Sequence, residues 1–128
     1  MLNILAVGFG GFIGSVFRYL LGLFINSIFR QSAFPYGTLS ANILGCLIIG
    51  ILSGLVDHRI ALSTTTRLFL FTGILGGFTT FSTFSLDTLT FFQADSAGGL
   101  TLAVLYVVIH VVFGLIAVYI GHWFTQLL

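Results

Sequence analysis

The sequence predicts an all-α integral membrane protein with four transmembrane helices, and three observations support this fold class. Hydrophobic residues make up 58% of the 128 positions and charged residues only 5%, whereas a soluble domain usually carries about 25% charged residues. The apolar residues fall into four runs long enough to cross a bilayer, which takes about 20 residues. The segments between the runs are short. The whole chain, residues 1–128, is therefore predicted to form a single transmembrane domain.

The first predicted span covers residues 2–28 and is rich in glycine. Gly10 and Gly14 have small-xxx-small spacing, which lets a second helix approach closely. Arg18 lies in the same run, where a charge is costly unless the side chain snorkels or faces polar surroundings. Two interpretations remain open: Arg18 snorkels near the end of the span, or it draws anions toward a vestibule. The run has no basic leader or cleavage site, so it is predicted to be a retained span.

The second predicted span covers residues 36–56 and follows Pro35, the only proline. Proline suits a helix start because its missing N–H would be unpaired there. Asn42 is notable, because a carboxamide in lipid either hydrogen-bonds a neighbouring helix or contacts a polar permeant. Its position alone favours the structural role. Cys46, the only cysteine, cannot form an intrachain disulfide and is predicted to be a small buried apolar residue.

The third predicted span covers residues 68–92, after a loop with several possible helix-capping hydroxyls. Its stretch 76–85 combines two glycines with five serines and threonines. Such a segment at membrane depth is expected only where it is buried in protein or lines a wet cavity. Gly76 and Gly77 weaken a helix, so the third helix is predicted to be broken near residues 76–80. Carbonyl oxygens freed by the break could coordinate a small cation such as Na⁺.

The residues around this break separate by chemistry on a helical wheel of about 100° per residue. One arc carries Phe81, Phe84 and Ser85, and the opposite arc carries Thr79, Ser82 and Thr83. In the simpler interpretation the phenylalanines face lipid and the hydroxyls bond backbone carbonyls. Five hydroxyls within seven residues favour the other interpretation, in which the segment lines an ion path.

The fourth predicted span covers residues 100–128 and contains Tyr106, His110 and Gly114. His110 has no charged partner three or four residues away on its helix. The sequence also lacks an intramembrane acid pair, the HExxH and GxSxG motifs and a cluster of metal-ligating side chains, so an enzyme is not expected. A net charge of +1 argues against nucleic-acid binding, which requires a dense basic patch.

Four spans place both termini on one side of the membrane. That side also receives the second loop, with Arg59 and Arg67, while the opposite side receives only Arg30. Such a weak positive-inside bias barely fixes one orientation. It is consistent with insertion in both orientations and pairing as an antiparallel dimer.

Four segments of the chain resemble the Fluc family of bacterial fluoride channels, and together they extend along nearly its whole length. The stretch 76–85, preceded by Thr72-Gly73, is the most specific of the four. The other three are Gly10-Gly11-Phe12-Ile13-Gly14 with Arg18-Tyr19, Gly37-Thr38-Leu39 with Asn42, and Tyr106.

This resemblance implies passive, selective export of fluoride across the bacterial inner membrane by an antiparallel, dual-topology homodimer with two pores. Both subunits would contribute to each pore, and one structural Na⁺ would lie at the dimer interface. In the implied fluoride path, the rings of Phe81 and Phe84 form the lining, Asn42 donates to the ion, and a polar track consists of Ser82, Thr83 and Ser85. The implied Na⁺ ligands are the carbonyls of Gly76 and Thr79. Nearer the pore mouths lie Arg18 and Tyr106.

Two departures from the family pattern affect the implied roles. Asp87 stands where members often have glutamate, which shortens the reach of that carboxylate. The fourth helix often carries a Gly-Ser pair in the family, whereas Phe113-Gly114-Leu115 has no hydroxyl. Two alternative functions fit this sequence less well. A small multidrug-type exporter needs a membrane-embedded carboxylate early in the chain, where this sequence has Arg18. A non-transporting membrane subunit would not need the hydroxyl and phenylalanine track.

Overall fold

The computed structural model describes residues 1–30, 32–58, 60–94 and 98–127. Within these ranges the chain forms helices that run in sequence order. They are α1 (Leu2–Ile28), α2 (Tyr36–His58), α3 (residues 64–78), α4 (Phe81–Gln93) and α5 (Gly99–Gln126). α3 and α4 together make the third span. Four helical spans are long and apolar enough to cross a membrane, which confirms the predicted multi-pass architecture.

The third span begins at Thr64, earlier than the predicted start at residue 68. Ser63 caps this helix, because its hydroxyl oxygen accepts a hydrogen bond of 3.1 Å from the backbone N–H of Thr66. α3 is not a regular α-helix throughout: its middle part, Leu68–Leu75, is a π-helix, which the sequence pattern did not predict. Arg59, one of the two arginines assigned to the second loop, and Leu128, the predicted end of the last span, lie outside the described residues.

α1 packs closely against α3, as the spacing of its glycines predicted. Gly10 and Gly14 are buried in this contact. A Cβ atom added at Gly10 would lie 2.9 Å from the Cα of Gly73, and one added at Gly77 would lie 3.0 Å from the Cα of Gly11. The two backbones therefore approach at positions where no side chain would fit.

α2 and α5 make the second close pair, again through small residues. A Cβ added at Gly121 of α5 would lie 2.9 Å from the backbone nitrogen of Ile51. Ala41 and Ala103 are fully buried, whereas large apolar side chains such as Leu115 are mostly exposed. This arrangement suits a bilayer, because lipid solvates apolar side chains and helix association depends on close packing.

The break in the third span lies at Thr79 and Thr80, just after the predicted glycines. Both threonines are extended, with φ −85° and ψ 158° at Thr79 and φ −150° and ψ 117° at Thr80. Gly76 keeps helical angles of φ −63° and ψ −35°. The break therefore lies inside the predicted segment, residues 76–80, at its C-terminal end, while Gly76 and Gly77 remain helical. Gly77 instead permits contact with α1, and the β-branched threonines adopt the extended conformation.

Candidate functional site

The break brings two helix ends of opposite polarity together inside the membrane-spanning region. It lies midway along the third span, which covers Thr64–Gln93. The C-terminal end of α3 leaves carbonyl groups without helical partners, and the N-terminal end of α4 leaves N–H groups without them. The α3 end is therefore partly negative and the α4 end partly positive. Such an arrangement offers ligands for a cation on one side and for an anion on the other.

Asn42 of α2 holds the break open through two hydrogen bonds to Thr80. The Thr80 N–H donates to Asn42 Oδ1 over 2.8 Å, and Asn42 Nδ2 donates to the Thr80 carbonyl oxygen over 3.1 Å. In an unbroken helix the Thr80 N–H would donate to the carbonyl of Gly76. The carboxamide thus replaces a helical hydrogen bond. The contact fits the structural role that the sequence favoured and leaves one Nδ2 hydrogen for another acceptor.

Arg18 of α1 also reaches the break. Its Nη1 donates a hydrogen bond of 3.1 Å to the carbonyl oxygen of Thr79, and the side chain is partly buried. The snorkelling interpretation does not describe this contact, because the acceptor lies in the middle of the third span. Arg18 also borders a separate cavity of about 260 Å³, together with Thr38 of α2 and Thr83 of α4.

A larger cavity of about 410 Å³ adjoins the break between α2, α3, α4 and α5. Its wall includes Asn42, Thr79, Phe81 and Phe84. The cavity therefore brings together residues on separate helices that were assigned to the ion path or the Na⁺ site from the sequence. Phe81 is 79% exposed in the single chain, and its ring centroid lies 5.6 Å from that of Phe84. Cys46, predicted to be buried, is only partly buried and also lines the cavity.

The hydroxyl groups near the break have two different sets of partners. Thr80 caps α4: its Oγ1 accepts from the Thr83 N–H over 3.3 Å and donates to Thr83 Oγ1 over 3.0 Å. Ser82 Oγ lies 3.4 Å from the same Thr80 oxygen. The Ser85 hydroxyl instead donates to the Phe81 carbonyl over 2.9 Å, as the simpler interpretation of these hydroxyls expected. The hydroxyls of Ser82 and Thr83 therefore lie within hydrogen-bonding distance of the Thr80 hydroxyl, whereas the Ser85 hydroxyl bonds its own helix.

Two features of this region were missed from the sequence. Thr79 lies in the extended segment, so assigning it to one arc of a continuous helix was wrong. Thr80, to which no role was assigned, is buried and bonds both Asn42 and Thr83. The signal for it was present, because a threonine three residues before a second hydroxyl at the start of an apolar helix is typical of an N-cap.

Tyr106 of α5 contacts Asp87 and Phe84 of α4. It is fully buried, and its hydroxyl donates a 3.0 Å hydrogen bond to Asp87 Oδ2. The shorter carboxylate at position 87 therefore still reaches a partner. The Tyr106 ring stacks on that of Phe84 at a centroid distance of 5.7 Å. Gly114, where a hydroxyl was missing, faces Cys46: a Cβ there would lie 3.4 Å from the Cys46 sulfur.

The carbonyls of Gly76 and Thr79 have the chemistry expected of Na⁺ ligands, which are neutral oxygen atoms. Thr80 N–H bonds Asn42, so the Gly76 carbonyl lacks its usual helical donor. The Thr79 carbonyl accepts from Arg18, and its second lone pair remains for a cation. Among the described residues no group of three or more histidine, cysteine, aspartate or glutamate side chains could hold a metal.

Comparison with known proteins agrees with this architecture. The model of the CrcB-like protein, Camphor Resistance (CrcB) family matches residues 5–122. A protein named Fluoride-specific ion channel FluC from Agrobacterium fabrum is 47% identical over 121 residues, which cover 94% of each chain. Its namesake from Chloroflexus aurantiacus is 48% identical over 128 residues, covering 97% of this chain and 98% of the relative.

These relatives are named as ion channels, which are not enzymes, and this confirms the expectation that the chain is not an enzyme. The match extends through all four spans and includes the break with its Asn42 and phenylalanine side chains. The chain therefore belongs to the CrcB-like family. Its relatives are named as fluoride channels, the kind of protein that the stretch 76–85 had indicated by resemblance.

Proposed function

We propose that this protein is a fluoride-selective channel through which F⁻ leaves the bacterial cytoplasm passively across the inner membrane. The observation that carries the proposal is the cavity beside the break in the third span, where Asn42, Phe81 and Phe84 meet. Relatives sharing nearly half of their residues with this chain are named fluoride-specific channels. The side chains in the wall of this cavity have the chemistry that fluoride requires.

Fluoride is small and strongly hydrated, so a pore has to replace its water with donors or with positive dipole ends. The free N–H groups at the start of α4 and the remaining Nδ2 hydrogen of Asn42 are donors of this kind. The edges of the Phe81 and Phe84 rings carry a partial positive charge. Ser82, Thr83 and Ser85 extend the polar surface along α4. The stretch 76–85 contains no lysine or arginine, so its donors are neutral dipoles that do not form a strong fixed trap for the ion.

We propose that the working unit is an antiparallel, dual-topology homodimer in which both chains contribute to each of two pores. Phe81 is 79% exposed, and Ser82 and Thr83 are exposed as well. Hydroxyls and an open helix break at membrane depth are unfavourable against lipid. A second copy of the chain would cover this surface and complete the pore wall. Arg18 and Tyr106 would lie along the approach to the ion path.

Fluoride efflux from proteoliposomes tests the proposed function directly. Liposomes loaded with NaF and containing the purified protein are expected to release F⁻ rapidly, as read with a fluoride electrode, because the pore supplies donors in place of water. Parallel liposomes loaded with NaCl are expected to retain Cl⁻, and a lipophilic cation should not be exchanged. Absence of F⁻ release from correctly folded protein would refute the channel, and release of the cation against a proton gradient would favour an exporter.

We also propose that Gly76 and Thr79 of both chains hold one structural Na⁺ at the dimer interface through their carbonyl oxygens. Exchange of Na⁺ for the larger N-methylglucamine cation is then expected to lower F⁻ efflux severalfold and to shift the protein toward monomer. Loss of the ion would leave converging carbonyl dipoles without a counter-charge. Efflux and size-exclusion chromatography in the two salts, with K⁺ as an intermediate control, measure both effects. Unchanged efflux and dimer content after thorough Na⁺ removal would contradict the site.

A further inference from the structure

His110 carries a buried nitrogen that the proposed pathway leaves unexplained. The imidazole lies on α5, one turn after Tyr106, and forms part of the cavity wall. Its Nδ1 lies 3.1 Å from the Tyr106 carbonyl oxygen. Its Nε2 is buried and has no hydrogen-bond partner among the residues that the structure describes. A buried polar atom without a partner is uncommon in folded proteins and points to an interacting water or ion.

The contact of Nδ1 fixes what Nε2 can do. A carbonyl oxygen only accepts hydrogen bonds, so Nδ1 has to carry the hydrogen in this contact. In the neutral imidazole, Nε2 then presents a lone pair, which repels an anion and accepts from water. Protonation converts the same atom into a positively charged N–H donor, and such donors form the stronger class of hydrogen bond to anions.

The surroundings of His110 place this atom next to the proposed ion path. The imidazole centroid lies 4.6 Å from that of Phe84 and 4.3 Å from that of Tyr106. Phe84 and His110 both contribute to the wall of the same cavity. The unpaired nitrogen therefore belongs to a side chain in the wall of the proposed ion path.

The other titratable groups near His110 do not occupy Nε2. From α4, Asp87 accepts the hydroxyl hydrogen of Tyr106, which lies on the same helix as His110. From α2, the Cys46 thiol lines the cavity and faces Gly114, one turn beyond His110. Nε2 has no bond to any of these three groups. Its hydrogen-bonding capacity is therefore unused among the described residues.

We propose that His110 Nε2 is a proton-controlled binding site for fluoride in this cavity, an inference that rests on the proposed fluoride conductance. In the neutral state Nε2 accepts a hydrogen bond from water. In the protonated state it donates to fluoride, and the proton stays on the imidazole while the ion passes. Fluoride flux therefore rises as the pH falls through the titration of His110.

Two variants separate the roles of the two ring nitrogens. In His110→Asn the amide nitrogen takes the place of Nδ1, and the titrating atom Nε2 has no counterpart. In His110→Gln the amide nitrogen takes the place of Nε2 as a donor that does not titrate. Wild-type flux is expected to be about fivefold higher near pH 5 than near pH 8, a coupling of ordinary size. Both variants are expected to lose this dependence, with His110→Gln the faster of the two at the higher pH.

The efflux assay is run at both pH values, with protein-free liposomes subtracted to remove leakage of HF. A wild-type flux that is rapid but independent of pH would overturn the inference while leaving the channel intact. The same would follow if His110→Asn and His110→Gln kept the wild-type pH dependence. A wild type without F⁻ flux at either pH would instead contradict the proposed function.

A measurement without transport tests the site separately. Because the coupling of two ligands is reciprocal, fluoride has to favour the protonated imidazole if the proton favours fluoride. In ¹⁵N-histidine-labelled wild-type protein, replacing NaCl with NaF at a fixed pH is expected to increase the protonated fraction of the His110 signal. His110→Asn identifies that signal, and His122, which lies near the end of α5, serves as the internal control. An unchanged His110 signal would overturn the inference whatever the flux data show.

Discussion

Asn42→Ala is expected to reduce fluoride efflux by about tenfold to a hundredfold. The substitution leaves both the N–H and the carbonyl of Thr80 without the partners seen at 2.8 Å and 3.1 Å. An unpaired buried backbone group costs about 1–3 kcal/mol, and each 1.4 kcal/mol changes a population about tenfold. The break is then free to close into a continuous helix, which removes the α4 N-terminus from the cavity. Proteoliposome F⁻ efflux measures the loss.

The control for this variant is Asn3→Ala. Asn3 also accepts a side-chain hydrogen bond, from Thr65 over 2.8 Å, but at an exposed position near the start of α1. It is expected to conduct like the wild type. Size-exclusion chromatography and circular dichroism show whether Asn42→Ala remains a folded dimer. Normal efflux from folded Asn42→Ala would remove Asn42 from both the pore and the support of the break.

Phe81→Ile is expected to reduce fluoride efflux by about tenfold or more. Isoleucine keeps an apolar side chain on α4 but lacks the positively polarised edge of an aromatic ring. Phe81 is 79% exposed in the single chain and contacts Phe84, so its replacement is expected to cost little folding energy. The effect should therefore appear in transport and not in stability. The efflux rate and the thermal midpoint, measured on the same preparation, separate the two.

Phe92→Ile is a matched control on the same helix. Phe92 is 53% exposed and lies three turns beyond Phe81, away from the cavity. The two variants change the same side chain in the same way, so the general effect of an isoleucine on α4 is shared. Equal efflux from both variants would show that Phe81 does not face the ion.

The sequence predicted the helical framework well because its signals are local. Charges are rare because a charged side chain is costly in lipid, and the apolar runs are long because crossing the hydrocarbon core takes about 20 residues. The glycine spacing at Gly10 and Gly14 likewise predicted a close helix contact, since only small residues allow one. The stretch 76–85 identified the region of the break. The ends of α1 and α2 were predicted within about two residues, and such shifts at helix termini are common.

The site itself was predicted only in part, because its key contacts join distant positions. The break was predicted near residues 76–80 because Gly76 and Gly77 weaken a helix, but packing against α1 keeps Gly77 helical. Within that segment the break lies at Thr79 and Thr80, where Asn42 supplies the lost hydrogen bonds. Nothing local to Thr80 shows that a carboxamide 38 positions earlier will bond it. The contact of Arg18 with Thr79 was missed for the same reason.

The sequence by itself determined that this chain is a four-span membrane protein with a polar interruption in its third span. Hydropathy and the clustering of hydroxyls are properties of neighbouring residues, so no fold is needed to see them. Only the tertiary structure decided where the helix breaks and which side chains meet there. The stretch 76–85 divides at Thr79 and Thr80, where Arg18 bonds Thr79 and Asn42 bonds Thr80 from two other helices. From a third helix, Tyr106 contacts Phe84. Hydrogen bonds between separate helices depend on how the helices pack, and that packing brings the buried His110 nitrogen to the same cavity.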